Sequence, residues 1–297
     1  MKTSRRRMRR RAIALVLILF LVTLFLFGPA VEAAPCKLTR GEPLLAGDVK
    51  DAQSLTLADG REVKLAGIDI PKHDVAKGGA PRVGEQLDAV LAGLLVQDAT
   101  LAYDQTREDR YGRVLAFPLA ADGRSVQSHL VEAGLARVRS SADNRNCIAE
   151  LLALEEEARA GRRGIWRDSA YAIMAADDVA ALLRAEGEFA IVEGVVHEAA
   201  SVRGRLYFNF GEDRRTDFTV TVAPADAKLF KAGDWTSIRR DPRLAAGRKM
   251  RVRGFIESYN GPEITLTHPE QVEFSSEDKA RANEGVDGVG KRKKRKP

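Results

Sequence analysis

The chain has 297 residues, 44% of them apolar and 30% charged, and 48 Lys and Arg against 42 Asp and Glu leave a net charge of +6. That length suits two modest domains with their own cores, and the apolar share excludes a wholly disordered chain. The charge sits at the ends: outside residues 1–33 and 276–297, the body holds 33 basic against 37 acidic residues, so a basic surface over the whole body is excluded.

The N-terminus reads as an export signal. Lys2 and the arginines between Arg5 and Arg11 form a basic region, and Ala12 to Phe27 is an apolar run broken only by Thr23. Val31-Glu32-Ala33 then offers small residues where a signal peptidase reads. At sixteen residues the run is shorter than the ~20 that span a bilayer. Residues 1–33 are therefore expected to be a signal peptide, with an N-terminal membrane anchor as the alternative. The matching location is periplasmic or secreted, or inner-membrane anchored facing the periplasm. Cys36 and Cys147 are the two cysteines, and an even pair in an oxidising compartment predicts a disulfide closing a 111-residue loop.

A first domain is expected over residues 37–168. Short strands are predicted at Pro43–Gly47, Ser54–Ala58, Glu62–Asp69, Ala99–Tyr103, Val114–Pro118 and Ala136–Arg139, with Asp59-Gly60 as a hairpin turn. Apolar residues at helical spacing predict helices at Gly84–Val96, Ser125–Ala133 and Cys147–Ala160, the last with Glu155–Glu157 solvated. Residues 169–187 read as a helical linker. Residues 188–275 return to strand character at Phe189–Val196, Arg205–Phe210, Asp217–Val222, Met250–Ser258 and Glu263–His268. Residues 276–297 are polar and end in KRKKRKP, a basic tail expected to be disordered and able to touch polyanions or anionic lipid. The fold class is α+β, mainly β, with two tandem five-stranded barrels of the oligonucleotide/oligosaccharide-binding (OB) type, the first carrying three helices.

Asp109-Arg110-Tyr111-Gly112-Arg113 is a tight charged turn that runs straight into the apolar strand Val114–Leu119. With LTLADGREVKLAGIDIPK, Leu55 to Lys72, it resembles the thermonuclease (staphylococcal nuclease-like) family. The resemblance implies the barrel named above and a phosphodiesterase site. That site sets two arginines on the phosphate, holds calcium between two aspartates, and keeps a glutamate near the attacking water. Arg113 matches one arginine and Asp69 one metal aspartate. Lys64 stands at the other arginine, Gln53 at the other aspartate, Lys72 at the glutamate and Ile70 at a neighbouring threonine. Lysine keeps the charge but loses the bidentate fork, and a glutamine carbonyl is a poor ligand for a hard cation. Protonated Lys72 cannot act as a base.

What survives is an anion-friendly cluster, Lys64, Lys72 and Arg113, with Asp69 ion-paired among them or holding calcium weakly. On the second domain, alternation puts Arg251, Arg253 and Phe255 on one strand face, and with Tyr259 they form a candidate nucleic-acid surface. His197 and His268 read as structural. The expected function is an exported thermonuclease-like protein that binds nucleic acid or another polyanion, its phosphodiesterase activity weak or lost. The alternatives are an active metal-dependent nuclease and a periplasmic scaffold that binds protein.

Overall fold

The computed structural model describes residues 36–44, 46–51, 54–71, 82–95 and 99–275; the expected signal, the basic tail, Gln53 and Lys72 lie outside them. Its class is α+β, with several sheets and short helices. The first lobe holds strands β1 (Thr39–Pro43), β2 (Ala46–Asp51), β3 (Ser54–Leu57), β4 (Glu62–Leu65), β5 (Ile68–Asp69), β6 (Thr100–Tyr103), β7 (Val114–Leu119) and β8 (Arg137–Val138). Its helices are α1 (Arg82–Leu95), α2 (Val126–Glu132) and α3 (Ile148–Ala160).

Six of these strands form one mixed sheet in the order β1-β6-β7-β4-β3-β2, antiparallel except where β4 runs parallel to β7. Ser125 caps α2 by accepting from the Ser128 N–H, which satisfies one of the donors a helix leaves open at its start. The helices cover the sheet through Leu91, Leu130, Ile148 and Leu151, which meet Val63, Leu101 and Phe117 in one core. Each such side chain removed from water contributes roughly 1.5–3 kcal/mol. A disulfide joins Cys36 to Cys147, Cα to Cα 4.7 Å, and ties the segment before β1 to the start of α3.

The second lobe has a separate core around Phe208, Phe218, Val220, Trp235, Val252 and Ile264. Its strands are β9 (Met174–Ala175), β10 (Phe189–Val195), β11 (Glu198–Val202), β12 (Arg205–Asn209), β13 (Thr219–Val222), β14 (Lys249–Phe255), β15 (Glu257–Ser258), β16 (Pro262–Leu266) and β17 (Val272–Phe274). Helices α4 (Val179–Arg184) and α5 (Asp234–Ile238) complete it. The strands lie in two sheets, β17-β14-β10-β9 and β11-β12-β13-β16-β15. Among the described residues no sheet closes on itself.

Two expectations change. The segment 169–187 holds more than a helical linker: beside the helix α4, β9 pairs parallel to β10, and Ala176 and Leu182 are buried in the second core. Glu155 is not solvated. It lies on the α3 face shared by Leu151 and Ala158 and is 0% exposed, its charge met there by arginines.

Candidate phosphate-binding cleft

The turn from Asp109 to Arg113 closes on itself. The Asp109 N–H donates to the Arg113 carbonyl and the Gly112 N–H to the Asp109 carbonyl, each at 3.0 Å. Gly112 has φ +76°, which favours the residue without a Cβ. Asp109 Oδ1 also accepts the N–H groups of Tyr111 and Arg113, and Oδ2 lies 2.6 Å from Arg113 Nη2. Burial alone would raise the Asp109 carboxyl, but the Arg113 side chain and these backbone N–H groups outweigh it and hold it below the usual carboxylate range. Glu62 is 3.8 Å from Arg113 Nη1. Arg113 is thus delivered to the start of β7 with its guanidinium partly engaged.

β5 carries Asp69. Gly67, at φ +79°, turns the chain out of β4, where a Cβ would press on Ile148, Phe117 and Leu151. β5 then pairs antiparallel with β8, which sets Asp69 opposite Arg137. Arg137 Nη2 lies 2.7 Å from Asp69 Oδ2, and Arg139 Nη1 lies 3.9 Å from Oδ1. Lys64 stands near by in β4. Burial and the like charges of Arg139 and Arg113 push its ammonium below the usual lysine range, more than Asp109 and Asp69 pull it back. Lys64, Gly67, Asp109, Arg139, Ser140, Ser141 and Asn144 line a cleft of about 180 Å³.

Sequence reasoning missed Arg137 and Arg139. They carry no motif, and only the β5–β8 pairing shows that both belong to Asp69. The second lobe also reaches this wall. Arg253 Nη1 donates to the Val138 carbonyl at 3.0 Å, while the Val138 N–H donates to Glu155 Oε1 at 2.7 Å. Arg139 lies over the Phe255 ring, 4.7 Å to its centre, and Arg137 over Phe189 at 5.1 Å. His268 Nε2 is 2.6 Å from Ser140 Oγ, and Arg145 makes a bidentate pair with Glu270, both contacts 2.7 Å.

The candidate surface on β14 is divided by this packing. Arg253 is 1% exposed and bound to Glu155 and Glu273, so it is not on a face open to nucleic acid. Arg251 is held by Glu193, Glu156 and Glu273. Phe255 is 44% and Tyr259 76% exposed. Alternation assigned the three β14 residues to one face correctly, but that face covers α3 and β8. Of the phosphate-facing set, the structure brings Lys64 and Arg113 into one electrostatic cluster, and Lys72 lies outside the described residues.

Among the described residues, the donors around Asp69 do not fit the family's calcium. Asp69 is bound to Arg137, with Arg139 and Lys64 adding positive charge around it. Among the described residues no three His, Cys, Asp or Glu side chains converge to hold an ion. A hard dication at Asp69 would meet cations where it needs oxygen ligands.

Comparisons with known proteins agree with the lobe that carries this cleft. The sequence profile described as "Staphylococcal nuclease homologue" matches residues 62–168. An "Uncharacterized endonuclease" of Escherichia coli is 31% identical over 139 residues, which cover 43% of this chain and 83% of that protein. "Succinoglycan biosynthesis protein ExoI" of Rhizobium meliloti (strain 1021) is 28% identical over 131 residues, 42% of this chain and 66% of its own length. "Endonuclease YncB" of Bacillus subtilis (strain 168) is 41% identical over 66 residues, 22% of this chain and 31% of its own. With its turn, its β5–β8 pairing and these relatives, the chain belongs to the staphylococcal nuclease homologue family.

Proposed function

We propose that this protein binds a phosphodiester polymer in the cleft lined by Lys64 and Arg139, with Arg113 adding positive charge beside Lys64, and that its metal-dependent hydrolysis is weak or lost. The observation that carries this reading is the state of Lys64: a half-buried ammonium beside two guanidiniums, whose charge a bound phosphate would offset. The carboxylates near by are engaged, Asp109 by Arg113 and Asp69 by Arg137. Lys72 and Gln53 stand where the family has a glutamate and an aspartate, which further weakens the case for a metal and a base. Nuclease-related relatives support nucleic acid as the polymer.

Fluorescence anisotropy with a labelled single-stranded oligonucleotide tests it. Binding should persist in EDTA and weaken roughly 3- to 10-fold in Lys64→Ala at fixed salt, a typical loss for one phosphate contact. No binding, or binding indifferent to Lys64, would sink the reading. The intact turn that delivers Arg113 favours a second reading, an active nuclease with an altered metal site; calcium-dependent cleavage lost in Arg113→Ala would establish it.

The same proposal places the protein outside the cytoplasm, as the basic and apolar N-terminus and the Cys36–Cys147 disulfide support. It reads residues 188–275 as a second OB-type unit. Support comes from β13 running parallel to β16, and from β10–β11 and β14–β15, consecutive strand pairs that each pass from one sheet to the other.

A further inference from the structure

Ser140 and Ser141 line the same cleft as Lys64 and Arg139. A serine hydroxyl carries one proton, and its destination decides what the oxygen offers a ligand. Ser140 Oγ lies 2.6 Å from Nε2 of His268, a ring 1% exposed. Its neighbours set the tautomer. Gln271 Oε1 accepts the Thr267 N–H at 2.7 Å, and Gln271 Nε2 donates to the Arg253 carbonyl at 3.1 Å, so the amide can face only one way. Thr267 Oγ1 donates to that same Oε1 at 3.1 Å. The threonine oxygen is left to accept from His268 Nδ1, 2.8 Å away. Burial pushes His268 down to about 4, so the ring is neutral near pH ~7. Its proton is on Nδ1, Nε2 is bare, and Ser140 donates to it. Ser141 is committed in the same sense, since its hydroxyl bonds the Asp143 carboxylate, which can only accept.

We propose that the cleft selects RNA over DNA, with Lys64 and Arg139 on a phosphate and Ser140 Oγ accepting the neighbouring ribose 2′-hydroxyl. The inference rests on the phosphate-cleft reading and narrows it to one polymer. With their protons turned away, Ser140 and Ser141 present lone pairs beside two cations. An anion site flanked by acceptors matches a ligand that carries a donor next to its phosphate. The 2′-hydroxyl is such a donor, and it is the group by which a protein tells RNA from DNA. Deoxyribose has only C–H at that place and would leave the acceptor without a partner. The second lobe is therefore part of the recognition, because His268 and Gln271 set which way the Ser140 proton points.

The test uses the full chain, one salt concentration and three labelled single strands of the same sequence: RNA, DNA and 2′-O-methyl RNA. The RNA should bind roughly 3- to 10-fold more tightly than the other two, the range one net hydrogen bond supplies. Ser140→Ala should remove that preference, its loss on RNA exceeding any loss on DNA by the same roughly 3- to 10-fold. Equal affinity for RNA and 2′-O-methyl RNA overturns the inference, and so does an equal loss on RNA and DNA in Ser140→Ala. The wild-type comparison stands even if the variant fails to fold. No binding by any of the three overturns the phosphate-cleft reading and this inference together, whereas equal binding overturns the inference alone.

Discussion

Arg253 of β14 and Glu155 of α3 form a buried ion pair, Nη2 to Oε2 2.9 Å, that joins the two lobes behind the strand carrying Arg137. Glu155 also accepts the Val138 N–H and pairs with Arg159 at 2.8 Å, and Arg253 also contacts Glu273 and the Val138 carbonyl. Removing one partner strands the other's charge. Arg253→Met should therefore destabilise the protein by about 3–5 kcal/mol, whereas Arg251→Met, with its partners at the rim, should cost about 1 kcal/mol or less. Urea unfolding of both variants decides; equal costs would show that the buried pair has no special weight.

His268 gives stability a pH dependence of known sign. Its folded pKa is near 4 against 6.5 for the free side chain. Above about 6.5 both states are neutral and the full stability is present. As pH falls from about 6.5 to about 4 the unfolded chain takes up the proton first, so stability drops by up to roughly 3 kcal/mol, and below that window the loss is complete. Glu270 and Asp143 pull the ring upward and Arg145 downward, but burial leads. The urea midpoint of His268→Gln, compared with wild type across this window, should lose that slope.

Asp69 separates a polyanion cleft from a metal site. In the present arrangement its charge offsets Arg137 and Arg139. Asp69→Asn should destabilise the fold by roughly 1–3 kcal/mol, because partly buried Arg137 loses its counter-charge. The same substitution should tighten oligonucleotide binding about 2- to 5-fold, since one negative charge that acts on Lys64 is removed. A loss of binding would point instead to a ligand held through Asp69.

The disulfide closes a loop with a sequence separation of 111 residues. Reduction, or Cys36→Ala with Cys147→Ala, should lower stability by up to about 4–5 kcal/mol on the chain-entropy account. Thermal melts with and without reductant measure it, and an unchanged melting temperature would contradict the account.

Much of the first lobe was legible because its signals are local. Asp59-Gly60 between two alternating runs does bound β3 and β4, and the turn ending in Arg113 does launch β7. The cysteine pairing is legible from the even number of cysteines and the expectation of export. What stayed hidden depends on partners far along the chain. Alternation put Arg251, Arg253 and Phe255 on one face but could not say that α3 and β8 would cover it. Glu155 looked solvated beside two more glutamates, since its counter-charge comes from Arg253, 98 residues later. Arg139 and Ser140 gained their roles only through Gly67, which fixes β5 against β8, and through His268 of the second lobe. β9 is not legible in the sequence because a two-residue strand leaves no periodicity to read.

The cleft, as proposed, holds a phosphodiester strand through cations, without a metal and without efficient cleavage. The direct measurement incubates the full chain with a labelled single-stranded RNA in calcium or in EDTA and reads binding and strand length in the same samples. The expected result is the same Kd in both conditions and an intact strand, with binding weakened in Lys64→Ala. Calcium-dependent cleavage at catalytic turnover, abolished in Arg113→Ala, would contradict it.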